Sequence, residues 1–247
     1  MAGHSKWTNI KRRKGAQDAK RGKIFTKLIK EISVATREGG PDVETNPRLR
    51  LAVQNAKGAN MPKDNIERAI KKSSGQDGTS YEAVTFEGYA NHGVGVFVEC
   101  LTDNNNRTVS DVRAAFSKYG SGLSKNGSLE FIFDRKGVFE VPMPEDFDED
   151  EFQLELIDGG AEEVEIGDEH ITVYSAMEDF GSVQKKLDEL GIEAETAELQ
   201  RIPNTSVDLD DDGFKNVMKL IEVLEDNDDV QKVYHNLEVK EGQEELI

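Results

Sequence analysis

The residues with the clearest chemical potential form a strongly basic segment near the start of the chain. Between Lys6 and Lys30 there are ten positively charged side chains and one acidic side chain, Asp18. Cations at this density neutralise phosphates and release the counterions condensed on a nucleic acid, and an indole ring stacks on an unpaired base. The sequence therefore predicts a nucleic-acid-binding set made of Lys6, Trp7, Lys11, Arg12, Arg13, Lys14, Lys20, Arg21, Lys23, Lys27 and Lys30.

The spacing of the last four lysines of this set strengthens the prediction. They recur at three- and four-residue steps, so a helix places them on one side, away from Phe25, Leu28 and Ile32. Two alternatives stay open: a solvated lysine-rich face with Trp7 as a packing residue, or a mitochondrial presequence, which is also basic and poor in acids. The pattern indicates the class of partner, a polyanion, and not its identity.

Other parts of the sequence carry weaker chemical signals. One segment matches the opening of a calcium-binding loop, with Asp208, Asp210, Asp212 and Gly213 at the required spacing. However, Lys219 occupies the position at which such a loop needs a bidentate carboxylate. Acids at a helix N-terminus, stabilised by the helix dipole, are the better interpretation. The four histidines lack metal-ligand spacing, and the sequence contains no nucleotide-binding glycine pattern. We expect no catalytic residues, no metal and no cofactor.

A polar loop at residues 103–107, Asp-Asn-Asn-Asn-Arg, follows a predicted strand and precedes a predicted helix. Such a loop either displays functional groups or supplies turn chemistry, here with Thr108 as the helix cap. The sequence favours neither interpretation.

Hydrophobic periodicity indicates the elements that position these residues. Apolar residues at helical spacing predict three amphipathic helices, one over 17–38, one after Pro47 and one after Pro62. Residues 1–16 carry too few bulky apolar side chains to be buried, so we expect a mobile arm there.

From residue 81 the hydrophobic period becomes that of strands. A hairpin at 83–101, a helix at 108–118 and a strand at 129–133 predict an α+β module. Residues 137–200 are predicted to form βαββαβ, the order of a ferredoxin-like unit. The final helix and strand, 214–224 and 230–237, cannot bury their apolar faces alone, so we expect them to return to the α+β module.

These elements predict a multidomain fold of the α and α+β class. Its parts are an N-terminal three-helix bundle, an α+β domain, and a ferredoxin-like βαββαβ domain inserted into the α+β domain. The predicted boundaries are 1–78 for the basic helical domain, 79–135 plus 204–247 for the α+β domain, and 136–203 for the insertion.

The charge of the chain is also distributed unevenly between the predicted domains. The 247 residues have a net charge of -18, yet residues 1–75 contain 18 basic and 7 acidic side chains. Such asymmetry is typical of a polyanion-binding end attached to an acidic, self-repelling body. The acidic domains are candidates to contact ribosomal or other basic proteins.

Cysteine content and hydropathy bear on the compartment. Cys100 is the only cysteine and lies in an apolar run, which indicates a buried structural thiol and fits a reducing compartment. The sequence contains neither an apolar stretch of about 18 residues nor a signal-peptide core. We expect a cytoplasmic protein without a membrane partner.

Several segments resemble the YebC/PmpR family. They cover nearly the whole chain: M-A-G-H-S-K-W-T-N-I-K-R-R-K-G and onward at 1–30, N-P-R-L-R at 46–50, N-M-P-K-D-N-I-E-R-A-I at 60–70, V-E-C-L-T-D-N at 98–104, N-R-T at 106–108, and L-E-D-N-D-D-V-Q-K-V-Y-H-N at 224–236. Some positions depart from the family pattern. Asn91 and His92 replace a frequent Pro-Gly, Asn105 replaces a frequent arginine, and Arg12 replaces a common histidine.

This resemblance implies three domains and a role in gene expression. Members are described as probable DNA-binding transcriptional regulators, whereas relatives that include a mitochondrial translational activator act at the ribosome. The family has no established catalytic residues. The leading hypothesis is thus a non-enzymatic DNA-binding regulator of transcription, and the alternative is a ribosome-associated translation factor that contacts ribosomal RNA. A protein-interaction scaffold ranks third and a hydrolase last.

Overall fold

The computed structural model of the chain describes residues 18–75, 79–144, 148–167 and 170–246. These residues contain seven α-helices and two four-stranded sheets, which confirms a fold of mixed helical and α+β class. Their contacts define two compact units. The first unit comprises 18–34, 79–134 and 202–246, and the second comprises 35–75 and 135–201. The predicted division into domains 1–78, 79–135 plus 204–247, and 136–203 differs within the first helix and stays a prediction.

The elements follow one another along the whole described chain. The helices are α1 (Asp18–Gly39), α2 (Pro47–Gly58), α3 (Lys63–Ser74), α4 (Asn105–Tyr119), α5 (Glu149–Asp158), α6 (Phe180–Glu189) and α7 (Asp211–Asp226). The strands are β1 (Glu82–Ala90), β2 (Gly95–Thr102), β3 (Gly120–Leu123), β4 (Phe133–Pro142), β5 (Ala161–Ile166), β6 (His170–Ala176), β7 (Thr196–Pro203) and β8 (Val230–His235).

Asn46 joins the end of α1 to the start of α2. Its amide nitrogen donates hydrogen bonds to the carbonyls of Ala35 and Gly40, both at 2.8 Å, and its carbonyl oxygen accepts from the Leu49 N–H at 3.1 Å. Gly40 ends α1 with a φ of +89°, a value that favours glycine. Pro47 begins α2 at a position where no amide hydrogen is needed. The N-P-R-L-R segment is therefore a helix-to-helix corner.

The first unit contains a sheet with the strand order β3-β1-β2-β8, and apolar side chains are buried on both faces of this sheet. The hairpin of β1 and β2 pairs Glu82 with Thr102 and Tyr89 with Gly95. Helices α4 and α7 contribute Phe116 and Phe214, both fully buried, to the larger core. Because β8 pairs antiparallel with β2, the C-terminal segment completes this sheet.

One predicted strand, Leu129–Phe133, is wrong. Residues 126–132 form turns, and only Phe133 lies in a strand, at the start of β4. The cause is the buried carboxylate of Glu87, which accepts the backbone N–H groups of Gly127 at 2.6 Å and Leu129 at 2.7 Å. The short strand β3 was not predicted, because a four-residue strand with two glycines has too few side chains to show an alternating pattern.

The second unit contains the predicted order β-α-β-β-α-β, from β4 to β7. Its sheet has the order β5-β6-β4-β7, and α5 and α6 contribute Leu156, Val183 and Leu187 to its core. Helix α2 also belongs here, since the Asn55 side chain exchanges two hydrogen bonds with the backbone of Ala197, at 3.1 and 2.9 Å. Among the described residues, every helix is too short or too polar to span a lipid bilayer.

Candidate nucleic-acid interface

The predicted nucleic-acid-binding set falls partly outside the described residues. Those outside them are Lys6, Trp7, Lys11, Arg12, Arg13 and Lys14, and so is the side chain of Lys20, whose backbone lies in α1. The described members of the set, in contrast, have definite positions on α1. Arg21 is exposed, with its guanidinium 5.7 Å from the centre of the Phe25 ring.

Lys23 and Lys27 lie against the C-terminal end of α7. The ammonium of Lys23 pairs with the carboxylate of Asp226, and that of Lys27 donates to the carbonyl of Glu225 at 2.9 Å. A helix C-terminus carries a partial negative charge from its unpaired carbonyls, and acidic side chains add to it here. Lys23 and Lys27, two of the lysines that periodicity places on one side of α1, thus face an acidic helix end of the same unit.

Lys30 is buried and its hydrogen bonds are all made within the unit. Its ammonium donates to the carbonyls of Leu101 at 3.2 Å and Asp228 at 2.8 Å, and to the carboxylate of Asp229 at 2.8 Å. Only 8% of the Lys30 side chain is exposed. An ammonium has three hydrogens to donate, so nothing remains for a phosphate. We therefore remove Lys30 from the proposed contact set.

Asp229 is the centre of the polar cluster that Lys30 enters. Its carboxylate also accepts from the Arg107 guanidinium at 2.6 Å, from the Thr108 hydroxyl at 2.9 Å and from the Thr102 hydroxyl at 3.2 Å. We call Asp229 with these four partners the Asp229 cluster. It unites four of the segments that resemble the family, 1–30, 98–104, 106–108 and 224–236, so these segments meet in a structural role.

Electrostatics at the Asp229 cluster favour the ionised carboxylate. Burial alone raises the pKa of Asp229, but hydrogen bonds from Lys30, Arg107 and Thr108 outweigh burial and lower it to about 2. The same contacts raise the pKa of Arg107 above its usual value, its hydrogen bond to Asp229 being the largest cause. Asp229 and Arg107 are therefore both ionised at neutral pH.

The polar loop at residues 103–107 has a structural explanation. Asn104 caps α4, since its side chain accepts from the Arg107 N–H at 3.2 Å. Thr108 is not the cap, because its hydroxyl points into the Asp229 cluster and its exposure is 0%. Arg107 bridges Asp229 and Asp103, the latter at 2.8 Å. The polar side chains of residues 103–107 therefore stabilise the start of α4.

Helix α3 carries a basic surface that the sequence analysis missed. Arg68, Lys71 and Lys72 are exposed and recur at three- and four-residue steps, so they share one side of the helix. Their spacing was a signal available in the sequence, but the denser run before Lys30 hid it. Lysines in the last turn of a helix also interact favourably with the helix dipole, which is the structural explanation for Lys71 and Lys72.

The remaining candidates for chemistry are structural. Asp210 caps α7 by accepting the Gly213 N–H at 2.8 Å, which confirms the interpretation of these acids as a helix start. Cys100 is buried, and burial raises its pKa to about 12, so its thiol is a poor nucleophile. Within the described ranges, no three His, Cys, Asp or Glu side chains form a set that could hold a metal ion.

Two models of one protein family match the sequence. The model described as the TACO1/YebC protein N-terminal domain matches residues 5–76. The model described as the TACO1/YebC second and third domain matches residues 81–237. Together they cover nearly the whole chain, and they confirm the resemblance found in the sequence.

Similar proteins include curated bacterial sequences and one solved structure. A probable transcriptional regulatory protein of Amoebophilus asiaticus is 58% identical over 239 residues, which are 96% of this chain and 98% of that protein. One of Bacillus licheniformis is 56% identical and covers 96% of this chain and 100% of its own length. The crystal structure of a conserved hypothetical protein from Aquifex aeolicus has a TM-score of 0.80 and 46% identity, covering 91% of this chain and 93% of its own.

Proposed function

The chain belongs to the TACO1/YebC family, and on this basis we propose that it is a non-enzymatic, nucleic-acid-binding regulator that controls transcription by binding DNA. Its curated relatives carry the name probable transcriptional regulatory protein. The observation that supports nucleic-acid binding is the excess of 18 basic over 7 acidic side chains in residues 1–75. The proposed site of action is the cytoplasm, with no membrane partner and no cofactor.

The internal contacts of α1 narrow the proposed phosphate contacts. Lys30 is buried in the Asp229 cluster, and Lys23 and Lys27 bind the end of α7. The proposed contact set that remains is Lys6, Lys11, Arg12, Arg13, Lys14, Lys20 and Arg21, with Trp7 as a stacking group. The basic side of α3 is an additional candidate surface, because Arg68, Lys71 and Lys72 are exposed.

A second candidate function is that of a ribosome-associated translation factor. Residues 135–201 contain 21 acidic and 5 basic side chains. Such a segment is repelled by a long naked duplex, whereas a ribonucleoprotein offers both RNA for the basic residues and basic proteins for the acidic ones. In this alternative the same contact set, from Lys6 to Arg21, binds ribosomal RNA.

Two binding measurements on the full chain separate these functions. Fluorescence anisotropy measures affinity for duplex DNA over a salt series, and co-sedimentation measures association with purified ribosomes. Both are repeated with Lys11, Arg12, Arg13 and Lys14 changed to Ala. Each phosphate contact contributes about 0.9 to the slope of log affinity against log salt, so four lost contacts lower the duplex slope by about 3 to 4.

A variant of equal charge change is the control. Lys125, Lys185, Lys215 and Lys219 are exposed and lie outside the proposed surface, so changing them to Ala should leave binding within about twofold. Selective DNA binding that only the first variant loses supports transcriptional control. Ribosome association lost by the same variant, with weak DNA binding, supports the translation alternative. Equal behaviour of the two variants refutes the proposed contact set.

A further inference from the structure

Helix α5 leaves two large apolar side chains in water. The helix buries Phe152 and Leu156 in the core of the second unit, with exposures of 7% and 0%. Leu154 and Ile157, in contrast, are 63% and 52% exposed. Since a helix turns about 100° per residue, these two lie together on the side opposite the buried pair. The core of the unit therefore does not explain them.

Acidic side chains share this exposed side. Asp150, Glu151 and Asp158 are exposed and lie within about 120° of Leu154 and Ile157 around the helix. We call these five residues the α5 outer face. Helix stability accounts for Asp150 and Glu151, which are in the first turn near the positive end of the dipole. It does not account for Asp158, which ends the helix where negative charge is unfavourable.

The surrounding charge restricts what could cover the α5 outer face. Residues 135–201 contain 21 acidic and 5 basic side chains, so nucleic acid and anionic lipid are repelled. If two copies of the chain met symmetrically through this face, the acidic side chains of one copy would lie against those of the other and repel them. One nearby cation, Lys186, hydrogen-bonds Glu155. A positively charged protein segment with apolar side chains complements both features of the face.

We propose that the α5 outer face docks a basic, amphipathic segment of a partner protein. Leu154 and Ile157 contact the apolar side chains of that segment, and Asp150, Glu151 and Asp158 pair with its Lys and Arg residues. Two exposed aliphatic side chains are the centre of a small interface, so the contact is of the weak, transient class. The inference concerns the acidic partner surface of the proposed regulator and does not depend on which nucleic acid the basic region binds.

The test is a titration of the full chain, with labelled Leu and Ile methyl groups, against a defined helical peptide of Lys and Leu. Methyl signals of Leu154 and Ile157 should shift on binding. Changing both residues to Gln should weaken binding about tenfold, because the peptide loses its apolar contacts. Changing Asp150 and Asp158 to Asn, with Glu151→Gln, should weaken it by a similar factor at low salt and much less at high salt.

Matched variants make the result specific to this face. Val223→Gln with Phe131→Gln also removes two exposed apolar side chains, and Glu222, Glu241 and Glu245 changed to Gln remove three exposed acids. Both should bind within twofold of the unchanged protein. Equal weakening by a face variant and its matched control would mean that binding is not specific to the α5 outer face, and it would overturn the proposal. Methyl shifts that occur when the chain is diluted without peptide would also overturn the proposal, because they indicate that a second copy of the chain covers the face. Neither outcome bears on DNA or ribosome binding.

Discussion

Replacing Asp229 by Asn tests how strongly the Asp229 cluster stabilises the first unit. The substitution keeps the size of the side chain and one acceptor oxygen but removes the charge. The ammonium of Lys30, whose side chain is 8% exposed, then has no buried counter-charge. Removing one partner of a buried ion pair costs about 3–5 kcal/mol, and two carbonyls still bind Lys30, so we expect a loss of about 3 kcal/mol.

The same substitution should change the response to acid. The folded pKa of Asp229 is about 2, below its ordinary value of 3.8. Because the folded value is the lower one, the stabilisation is complete above the unfolded pKa and is lost as the pH falls through about 2. At about 1.4 kcal/mol per pKa unit the group contributes about 2.5 kcal/mol. Asp229→Asn should lack this fall in stability between pH 4 and pH 2.

Hydrogen exchange followed by mass spectrometry measures the first effect within each unit. Amides of β2, α7 and β8 should lose about 3 kcal/mol of protection, and amides of β4, β5 and β6 in the second unit are the internal reference. Asp226→Asn is the matched control, since Asp226 is exposed and its pair with Lys23 is worth less than about 1 kcal/mol. Urea titrations followed by circular dichroism at pH 2 to 5 measure the second effect.

Two results would refute this reasoning. If Asp229→Asn changed protection by no more than Asp226→Asn, the cluster would not stabilise the unit. If the variant kept the full acid response of the unchanged protein, other carboxylates would cause it. The first result would also weaken the removal of Lys30 from the proposed contact set, because one of its three hydrogen bonds is to Asp229.

One labelling experiment and substitutions at two residues test other parts of the fold. Cys100 should react with a thiol reagent only after denaturant is added, since burial raises its pKa to about 12, and reaction at the rate of a free thiol would contradict this. Asn46→Ala should destabilise the second unit by about 2–3 kcal/mol, measured by urea unfolding, because two carbonyls and a helix start lose their partner; a loss below 0.5 kcal/mol, on the order of a surface change, would contradict it. His92 has a φ of +64°, so His92→Gly should stabilise the first unit by about 0.5 kcal/mol, whereas His92→Ala should not.

The helices and most strands could be predicted because their signals are local. Apolar residues at helical steps predicted α1, and the strand patterns predicted the βαββαβ segment, with ends within a few residues of those observed. The strand predicted at Leu129–Phe133 failed for a non-local reason. Its backbone N–H groups bind the carboxylate of Glu87, about forty residues earlier, and such a contact leaves no mark on the local pattern.

The candidate site shows the same distinction between local and distant information. The pattern of lysines on α1 reveals that they share a side of a helix, but not what that side faces. Lys30 meets Asp229, which lies 199 residues later in the chain, and only the tertiary fold brings them together. The spacing of the cations in the sequence is therefore the same whether they bind a phosphate or a helix end of the same protein, and it does not distinguish the two.

The segments that make the family recognisable are for the most part explained by folding. Asn46 forms a helix corner, and four further segments meet at the Asp229 cluster. A recognisable motif is thus evidence for a shared fold before it is evidence for a ligand. The case for nucleic-acid binding must therefore rest on the proposed contact set from Lys6 to Arg21 together with the exposed side of α3. For this reason the comparison of two variants with equal charge change is the decisive experiment on function, because each loses four positive charges but at different positions in the chain.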